Sequence, residues 1–249
     1  MKLILSVESV RFPLTGIGRY TYELASRLQH AEQISDLRLF AGSRFLPELL
    51  KPSDQSDAVH GLKRFVQKNA LAVEAYRRLM PLLRKRALRG HEDFIYHSTN
   101  FYLPPFAGPR VATFHDLSPF TWAHCHTPQI ARYLQKELRL TLERADALIT
   151  VSHHTRKELA DYFGWPLERI HAVPLASSPQ FHPRTPQALR ETLARHGLEL
   201  GGYSLFVGTI EPRKNIETLL NAYGRLPLAL RQRWPLILSG YHGWRSEAI

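Results

Sequence analysis

The hydrophobic pattern of the chain alternates between short apolar runs and longer amphipathic stretches. The short runs, with few polar interruptions, predict strands of the kind that parallel sheets bury on both faces. They cover residues 2–7, 37–41, 94–97, 110–114, 146–151, 169–174, 203–207 and 235–239. Between most of them, apolar residues spaced three and four positions apart predict helices. The pattern therefore predicts an α/β protein.

Two glycines follow the first predicted strand. Gly16 and Gly18 lie in a predicted loop before a helix whose apolar face carries Tyr20, Leu24 and Leu28. Glycines between a strand and a helix let the backbone approach a phosphate or a sugar closely. The third glycine of a dinucleotide-binding fingerprint is absent, which disfavours a dehydrogenase. A tight turn that needs small residues explains the two glycines equally well.

Residues 206–215 contain the most informative pattern, in which a strand leads through a short turn into a helix. Arg213 and Lys214 stand just before that helix, and Asn215 is placed to cap it by accepting from a free backbone N–H. A helix N-terminus favours anions, and two adjacent cations strengthen that field. The segment predicts a phosphate site, the alternative being a pair of solvated surface charges.

His115 and Asp116 follow the fourth predicted strand, residues 110–114. Ligands of open parallel sheets bind beyond the carboxyl ends of the strands. An imidazole and a carboxylate at that edge could bond sugar hydroxyls or share a proton. Alternatively, the pair caps local backbone.

The formal net charge of +11 is compatible with nucleic acid, an anionic membrane or a phosphorylated substrate. We expect no nucleic-acid partner, because the sequence holds no recognisable nucleic-acid-binding module. Part of the excess lies in a predicted helical stretch, residues 57–90, that Pro81 should break or kink. Its cations could lie against anionic lipid or form a solvated face. They are Lys63, Arg64, Lys68, Arg77, Arg78, Arg84, Lys85, Arg86 and Arg89.

The single cysteine, Cys125, excludes an intrachain disulfide and favours a reducing compartment. Residues 124–126 read His-Cys-His but lack the spacing of a zinc site, and we interpret them as a loop. The N-terminus lacks a secretory signal, and no apolar run reaches the roughly 20 residues of a membrane span. We expect a cytoplasmic protein whose contact with the inner face of the membrane, if any, is peripheral.

The Pro-rich segment 175–186 predicts an interdomain linker. We expect one domain over residues 1–184 and a second over residues 185–249. The second contains only two clear predicted strands, where a Rossmann-like sheet needs about five or six. We therefore expect the second domain to be incomplete.

Four blocks of the sequence, in this order, resemble the retaining glycosyltransferases of family 4. The family has the GT-B fold, in which two Rossmann-like doubly wound domains face each other. Similarity is strongest to bacterial mannosyl- and rhamnosyltransferases of surface polysaccharide assembly. The blocks are residues 16–20, residues 114–116, residues 145–152 together with 170–183, and residues 206–215.

The resemblance implies transfer of a mannose- or rhamnose-type hexose from a nucleotide-diphosphate sugar, with a GDP-sugar expected. The acceptor would be lipid-linked or a polysaccharide, and the anomeric configuration would be retained. Arg213 and Lys214 would bind the diphosphate and neutralise the charge that grows on it as it leaves. No metal or separate cofactor is implied, since these cations do the work of Mg²⁺.

The remaining roles are implied in the same way. The backbone at Gly16 and Gly18 would approach the donor, and His115 would contact its sugar. Thr209 and Asp116 would also belong to the donor-binding set.

Members of the family continue beyond this length and carry a pair of glutamates that binds the donor ribose and sugar. Nothing after Lys214 matches that motif. We therefore expect a truncated chain with little or no turnover. A non-catalytic protein that binds nucleotide sugars on the same fold is the alternative.

Overall fold

A computed structural model describes residues 1–51, 70–125, 127–241 and 243, with only the backbone for residues 70–78. The chain forms two compact units, Met1–Ala176 and Ser177–Ile249. The division falls inside the Pro-rich segment 175–186.

The first unit is built on one seven-stranded sheet. Its strands are β1 (Lys2–Ser6), β2 (Asp36–Phe40), β3 (Phe45–Leu46), β4 (Ile95–Ser98), β5 (Arg110–Phe114), β6 (Ala147–Thr150) and β7 (Ile170–Ala172). Its helices are α1 (Gly16–Leu28), α2 (Ala70–Ala87), α3 (Ser118–Thr121), α4 (Pro128–Arg144) and α5 (His153–Phe163).

The order of the strands is β3-β2-β1-β4-β5-β6-β7. All neighbours are parallel except β2 and β3, which are antiparallel. The chain builds the sheet outward from β1 through β2 and β3, then returns and continues from β4 on the other side. The carboxyl ends of β1 and β4 are thus a topological switch point, where open α/β sheets form a ligand crevice.

Both faces of the sheet are covered by apolar layers. Ile4 and Leu5, consecutive on β1, are fully buried and belong to two different hydrophobic clusters, because successive side chains of a strand point to opposite faces. The cluster around Ile4 includes Leu138 of α4 and Leu159 of α5, and the cluster around Leu5 includes Ala25 of α1. This arrangement confirms the predicted α/β class with a Rossmann-like sheet.

The second unit contains helix α6 (Pro186–Arg195), strand β8 (Ser204–Val207), a 3₁₀ turn (Pro212–Lys214), helices α7 (Ile216–Gly224) and α8 (Leu228–Arg233), and strand β9 (Leu236–Ser239). Strands β8 and β9 pair in parallel, from Ser204 opposite Leu236 to Val207 opposite Ser239. In the part of the chain that the structure describes, these two strands form the whole sheet of this unit.

Three expectations are corrected. Gly16 and Gly18 lie inside the first turn of α1 and not in a loop before it. Helix α2 continues through Pro81, so of the predicted break or kink, the break is wrong; one missing N–H donor is tolerated within 18 residues. The segment around Cys125, which we interpreted as a loop, contains a 3₁₀ turn, Ala123–Cys125. His126 and residues 57–69 of the basic stretch lie outside the described residues.

Candidate functional site

A cavity of about 540 Å³ opens at the switch point of the first unit. Its floor comes from the segments that leave β1 and β4, and one wall comes from α2. The lining includes several polar side chains and two tyrosines, namely Glu8, Ser9, Arg11, Arg84, Asn100, Tyr102, Tyr133 and Glu137. The volume lies within the range of small-ligand sites.

An ion pair between a buried arginine and a partly exposed glutamate fixes the wall that α2 provides. Arg84 is only 7% exposed, and its Nη2 donates to both carboxylate oxygens of Glu8 at 2.7 and 2.9 Å. Its Nε donates to the carbonyl oxygen of Gly42 at 3.0 Å, and its guanidinium lies 4.3 Å from the ring centroid of Tyr102. A buried charge with several partners holds its neighbours in one geometry. The pair therefore ties α2 to the segment that follows β1.

The N-terminus of α1 lies at the same edge of the sheet. Thr15 caps it by accepting from the backbone N–H of Gly18 at 3.4 Å. A Cβ on Gly18 would lie 2.8 Å from the carbonyl oxygen of Ser9, so this glycine is needed for packing. Gly16 is exposed, and a Cβ there would meet nothing within 4 Å. Of the two glycines, Gly16 is the one with open space for a ligand.

A buried polar chain lies beneath this edge. Thr113 Oγ1 is 2.9 Å from Nε2 of His97 and 3.2 Å from the hydroxyl oxygen of Tyr20. Burial lowers the pKa of His97 to about 4, so its imidazole is neutral near pH 7. His97 was not predicted as a site residue, because it lies within an apolar strand and adjoins no motif.

His115 extends from the end of β5 and packs against α1. Its ring lies edge-on to Tyr20, with centroids 5.0 Å apart, and its Nε2 donates to the carbonyl oxygen of Thr99 at 2.9 Å. Because a carbonyl only accepts, Nδ1 of the neutral ring is left as an acceptor. Burial lowers the pKa of His115, and the Thr99 carbonyl and the charge of Asp116 oppose that shift. A neutral His115 is thus suited to accept a hydrogen bond from a hydroxyl group.

Asp116 is exposed, and its Oδ1 accepts from the backbone N–H of Ser118 at 3.0 Å. This contact caps the start of α3, which is the alternative role that the sequence left open for it. Its placement as a donor-binding residue stays a prediction.

Arg213 and Lys214 of the second unit lie together in the 3₁₀ turn that precedes α7. Arg213 Nη2 lies 3.0 Å from Oε1 of Glu211, a residue that is only 8% exposed. Lys214 is exposed. The buried carboxylate orients the guanidinium, while the ammonium next to it faces solvent. Sequence reasoning did not identify Glu211, although it is two positions from Arg213.

The segment that carries this turn is fixed to the end of β9. The backbone N–H of Gly208 donates to Ser239 O, and that of Ile210 donates to Tyr241 O, each at 2.9 Å. A Cβ on Gly240 would lie 1.8 Å from the carbonyl oxygen of Gly208, so a glycine is required there. Thr209, between the two bonded amides, is exposed.

Asn215 does not cap α7 in the predicted way. It occupies the N-cap position with φ of 53° and ψ of 38°, in the left-handed region, and its side chain makes no bond to a helix amide. A capping side chain normally extends from β-region backbone, which explains the difference. Instead, Oδ1 of Asn215 accepts from the hydroxyl of Thr218 at 2.7 Å.

The structure thus groups the predicted residues into two sets. Gly16, Gly18, His115 and Asp116 lie at the carboxyl edge of the first sheet, and Thr209, Arg213 and Lys214 lie after β8 in the second unit. Among the described residues, no three His, Cys, Asp or Glu side chains lie close enough to hold a metal ion. No described helix combines the length and apolar character that a membrane span requires.

Comparison with known proteins identifies the family. Residues 14–181 match the family model of Glycosyltransferase Family 4. The chain is 43% identical over 253 aligned positions to O-antigen chain mannosyltransferase B of Escherichia coli, covering 100% of this chain and 66% of that relative. It is 30% identical over 132 positions to the serotype-specific mannosyltransferase WbdA of Escherichia coli, covering 52% of this chain and 16% of that protein. The resemblance seen in the sequence is confirmed, and with it the GT-B fold class: the chain belongs to Glycosyltransferase Family 4.

Proposed function

We propose that the chain provides the donor and acceptor sites of a glycosyltransferase that moves mannose from a nucleotide-diphosphate sugar, of the GDP type, to a glycan. The observation that carries the proposal is the 3₁₀ turn with Arg213 oriented by Glu211 and Lys214 exposed beside it. The similarity to a protein named O-antigen chain mannosyltransferase B supports the choice of mannose.

Arg213 and Lys214 bind the diphosphate of the donor. The leaving nucleoside diphosphate gains negative charge as the glycosidic bond breaks, and preorganised cations stabilise that charge most in the transition state. The N-terminus of α7, which follows the two cations directly, adds its partial positive charge. We expect no metal ion to be needed for this step.

His115 contacts the sugar of the donor. Its Nε2 is held by the carbonyl of Thr99, so Nδ1 is available to accept from a sugar hydroxyl. Gly16, with open space around it, lets the ligand approach the N-terminus of α1. Thr209 and Asp116 are assigned to the same donor-binding set.

The acceptor binds in the cavity of the first unit. Its lining offers carboxylates, an amide and tyrosine rings, which together suit the hydroxyl groups and apolar faces of a sugar. An acceptor hydroxyl then attacks the anomeric carbon from the face that the diphosphate leaves, which retains the configuration. The new glycosidic bond forms as the bond to the diphosphate breaks, and the leaving phosphate takes the proton of the hydroxyl. The acceptor is a lipid-linked or polysaccharide glycan, so the enzyme works at the inner face of the cytoplasmic membrane.

The direct test is transfer of labelled mannose from GDP-mannose to a synthetic lipid-linked mannoside. The chain spans 66% of the length of the relative named above, and we expect turnover below that of a full-length relative. His115→Ala should lower transfer further, and His171→Ala, at an exposed position on β7, is the matched control. Nucleotide binding without any transfer would favour the non-catalytic alternative.

A further inference from the structure

Tyr20 of α1 is the aromatic side chain against which His115 packs. The centroids of the two rings are 5.0 Å apart, and the ring planes are nearly perpendicular, at 84°. The hydrogen bond from Nε2 of His115 to the carbonyl oxygen of Thr99 fixes one ring nitrogen but leaves the imidazole free to turn about that bond. The lone pair of Nδ1 lies in the ring plane, so the direction in which Nδ1 accepts depends on that plane. The contact with Tyr20 restricts it.

The hydroxyl end of Tyr20 is itself held in place. Its oxygen lies 3.2 Å from Oγ1 of Thr113, and that atom lies 2.9 Å from Nε2 of His97. Thr113 and His97 are both buried, on β5 and β4. Burial raises the pKa of the Tyr20 phenol, against the opposing effect of Thr113, so the phenol keeps its proton near neutral pH. The ring of Tyr20 is therefore fixed at the helix by its backbone and at the sheet by its hydroxyl.

The next residue of α1 supports His115 from the other side. Thr21 is fully buried, and its Oγ1 lies 3.0 Å from Oγ1 of Thr99. Thr99 donates its own hydroxyl to Ser6 O, so it accepts from Thr21. Two consecutive residues of α1 thus contact the ring of His115 and the residue that holds its Nε2. Connected buried contacts of this kind hold one geometry.

We propose that Tyr20 is a positioning residue that acts through His115: its ring sets the plane of the imidazole and thereby the direction in which Nδ1 accepts from a hydroxyl of the donor sugar. The inference rests on the proposed function for the identity of that ligand. Packing alone describes a second tyrosine of the same helix, Tyr22, whose ring lies edge-on to Phe12 with centroids 6.0 Å apart. Tyr20 differs from it because its neighbour is a titratable side chain at the ligand edge of the sheet.

Nuclear magnetic resonance of the whole chain, with ¹⁵N-labelled histidine and no ligand, tests the positioning. The signals of His115 are those that disappear in His115→Gln. In the native chain, the neutral ring should carry its proton on Nε2, and the pKa of His115 should lie below its ordinary value because of burial. Tyr20→Ala should give a mixture of the two tautomers and a pKa closer to about 6.5, since the ring can turn and water reaches it.

Three further variants separate positioning from a loss of folding. Tyr20→Phe keeps the aromatic ring and should keep the tautomer of His115. Tyr20→Leu, which retains more of the buried apolar volume than alanine, should behave like Tyr20→Ala. Tyr22→Ala removes a ring of the same helix and should leave His115 as in the native chain, with circular dichroism showing that each variant is folded. An unchanged His115 in both Tyr20→Ala and Tyr20→Leu, or the same change in Tyr22→Ala, would overturn the proposal.

Calorimetric titration with GDP-mannose and with GDP measures the consequence for the ligand. Tyr20→Ala should weaken the binding of GDP-mannose about fivefold, the worth of one hydrogen bond, and should leave the affinity for GDP unchanged, because His115 contacts the sugar. His115→Ala should cost about the same factor, and the double variant should cost no more than either substitution alone. Equal losses for GDP and GDP-mannose, or losses that multiply in the double variant, would contradict a role through His115.

The spectra are recorded without nucleotide, so they do not depend on the proposed activity. If neither nucleotide binds to the native chain and Tyr20→Ala still changes the tautomer of His115, the proposed function fails while the positioning role stands. If GDP-mannose binds and the spectra of Tyr20→Ala match those of the native chain, the positioning role fails alone.

Discussion

At the scale of single residues, the first unit depends on polar groups buried under its ligand edge. His97 is 7% exposed, and its Nε2 lies 2.9 Å from Thr113 Oγ1. Thr99 is also buried; its hydroxyl donates to Ser6 O at 2.8 Å, and its carbonyl oxygen accepts a hydrogen bond from Nε2 of His115. Satisfied buried polar groups hold a single geometry. The position of His115 is therefore fixed by the buried segment that carries Thr99.

The neutral state of His97 predicts a dependence of stability on pH. The folded pKa is about 4, whereas an unfolded histidine titrates near 6.5. Between these values the unfolded chain binds more protons, so the free energy of unfolding falls as pH falls from about 6.5 to about 4. The contribution is present in full above that window and is on the order of 3 kcal/mol.

Denaturant unfolding of the native chain and of His97→Gln at several pH values measures this contribution. The difference between the two proteins should shrink as the pH is lowered through the window, since the variant lacks the titrating group. His171→Gln, at an exposed position, should keep the slope of the native chain. A native chain and a His97→Gln variant with parallel pH profiles would show that the explanation is wrong.

From residue types and their order, the residues of the candidate site could be predicted better than the hydrogen bonds between them. Arg213 and Lys214 were predicted to bind phosphate because the two adjacent cations stand just before a helix in a strand-turn-helix segment, and that role stays a prediction. Glu211 was missed because its contact with Arg213 depends on the geometry of the turn, which residue spacing does not reveal. The role of Asn215 was predicted wrongly, since the sequence does not show a left-handed backbone at a residue other than glycine.

At the scale of elements, caps and periodicity determine where helices begin. Ser152 caps the start of α5, because its Oγ accepts from the backbone N–H of Thr155 at 3.0 Å. Thr127 occupies the equivalent position of α4, but its side chain makes no capping bond. The two positions offer a comparison within one chain.

Ser152→Ala should lower the free energy of unfolding by about 1 kcal/mol, the usual cost of a lost N-cap. Thr127→Ala should change it by less than about 0.5 kcal/mol, since no capping bond is removed. Denaturant titration of both variants measures the difference. Equal losses would mean that the hydroxyl of Ser152 does not stabilise α5.

Strands were predicted to within about one or two residues wherever an apolar run was long enough to show a boundary. Strand β5 has the predicted bounds, Arg110–Phe114. Strand β3 is only Phe45–Leu46, and two residues have no period from which a strand could be inferred. The short helix α8, Leu228–Arg233, was not predicted, because it is also too short to show a period.

At the scale of the whole molecule, the two units differ in how much core each contains. Both hydrophobic clusters found in the described residues lie in the first unit. In the second, Ile216 is fully buried, while Leu205 and Val207 of β8 are 54% and 72% exposed. The order of the strands, and with it the switch point, could not be read from the sequence, because pairing between distant strands leaves no local pattern.

A fragment of residues 1–176 should therefore unfold cooperatively, since it retains both clusters. It should also lose affinity for nucleoside diphosphate, because Arg213 and Lys214 are absent from it. Thermal unfolding and calorimetric titration measure the two properties. A fragment that binds GDP as tightly as the whole chain would place the phosphate site in the first unit instead.

The most direct test of the account is a calorimetric titration of GDP into the native chain and three variants. Arg213→Ala and Lys214→Ala should each weaken binding at least about fivefold, because each removes a cation from a charge-assisted contact to phosphate. Arg225→Ala, which removes an exposed cation elsewhere in the second unit, should leave the affinity unchanged. Unchanged affinity in both Arg213→Ala and Lys214→Ala would contradict the assignment of residues 206–215 as the diphosphate site.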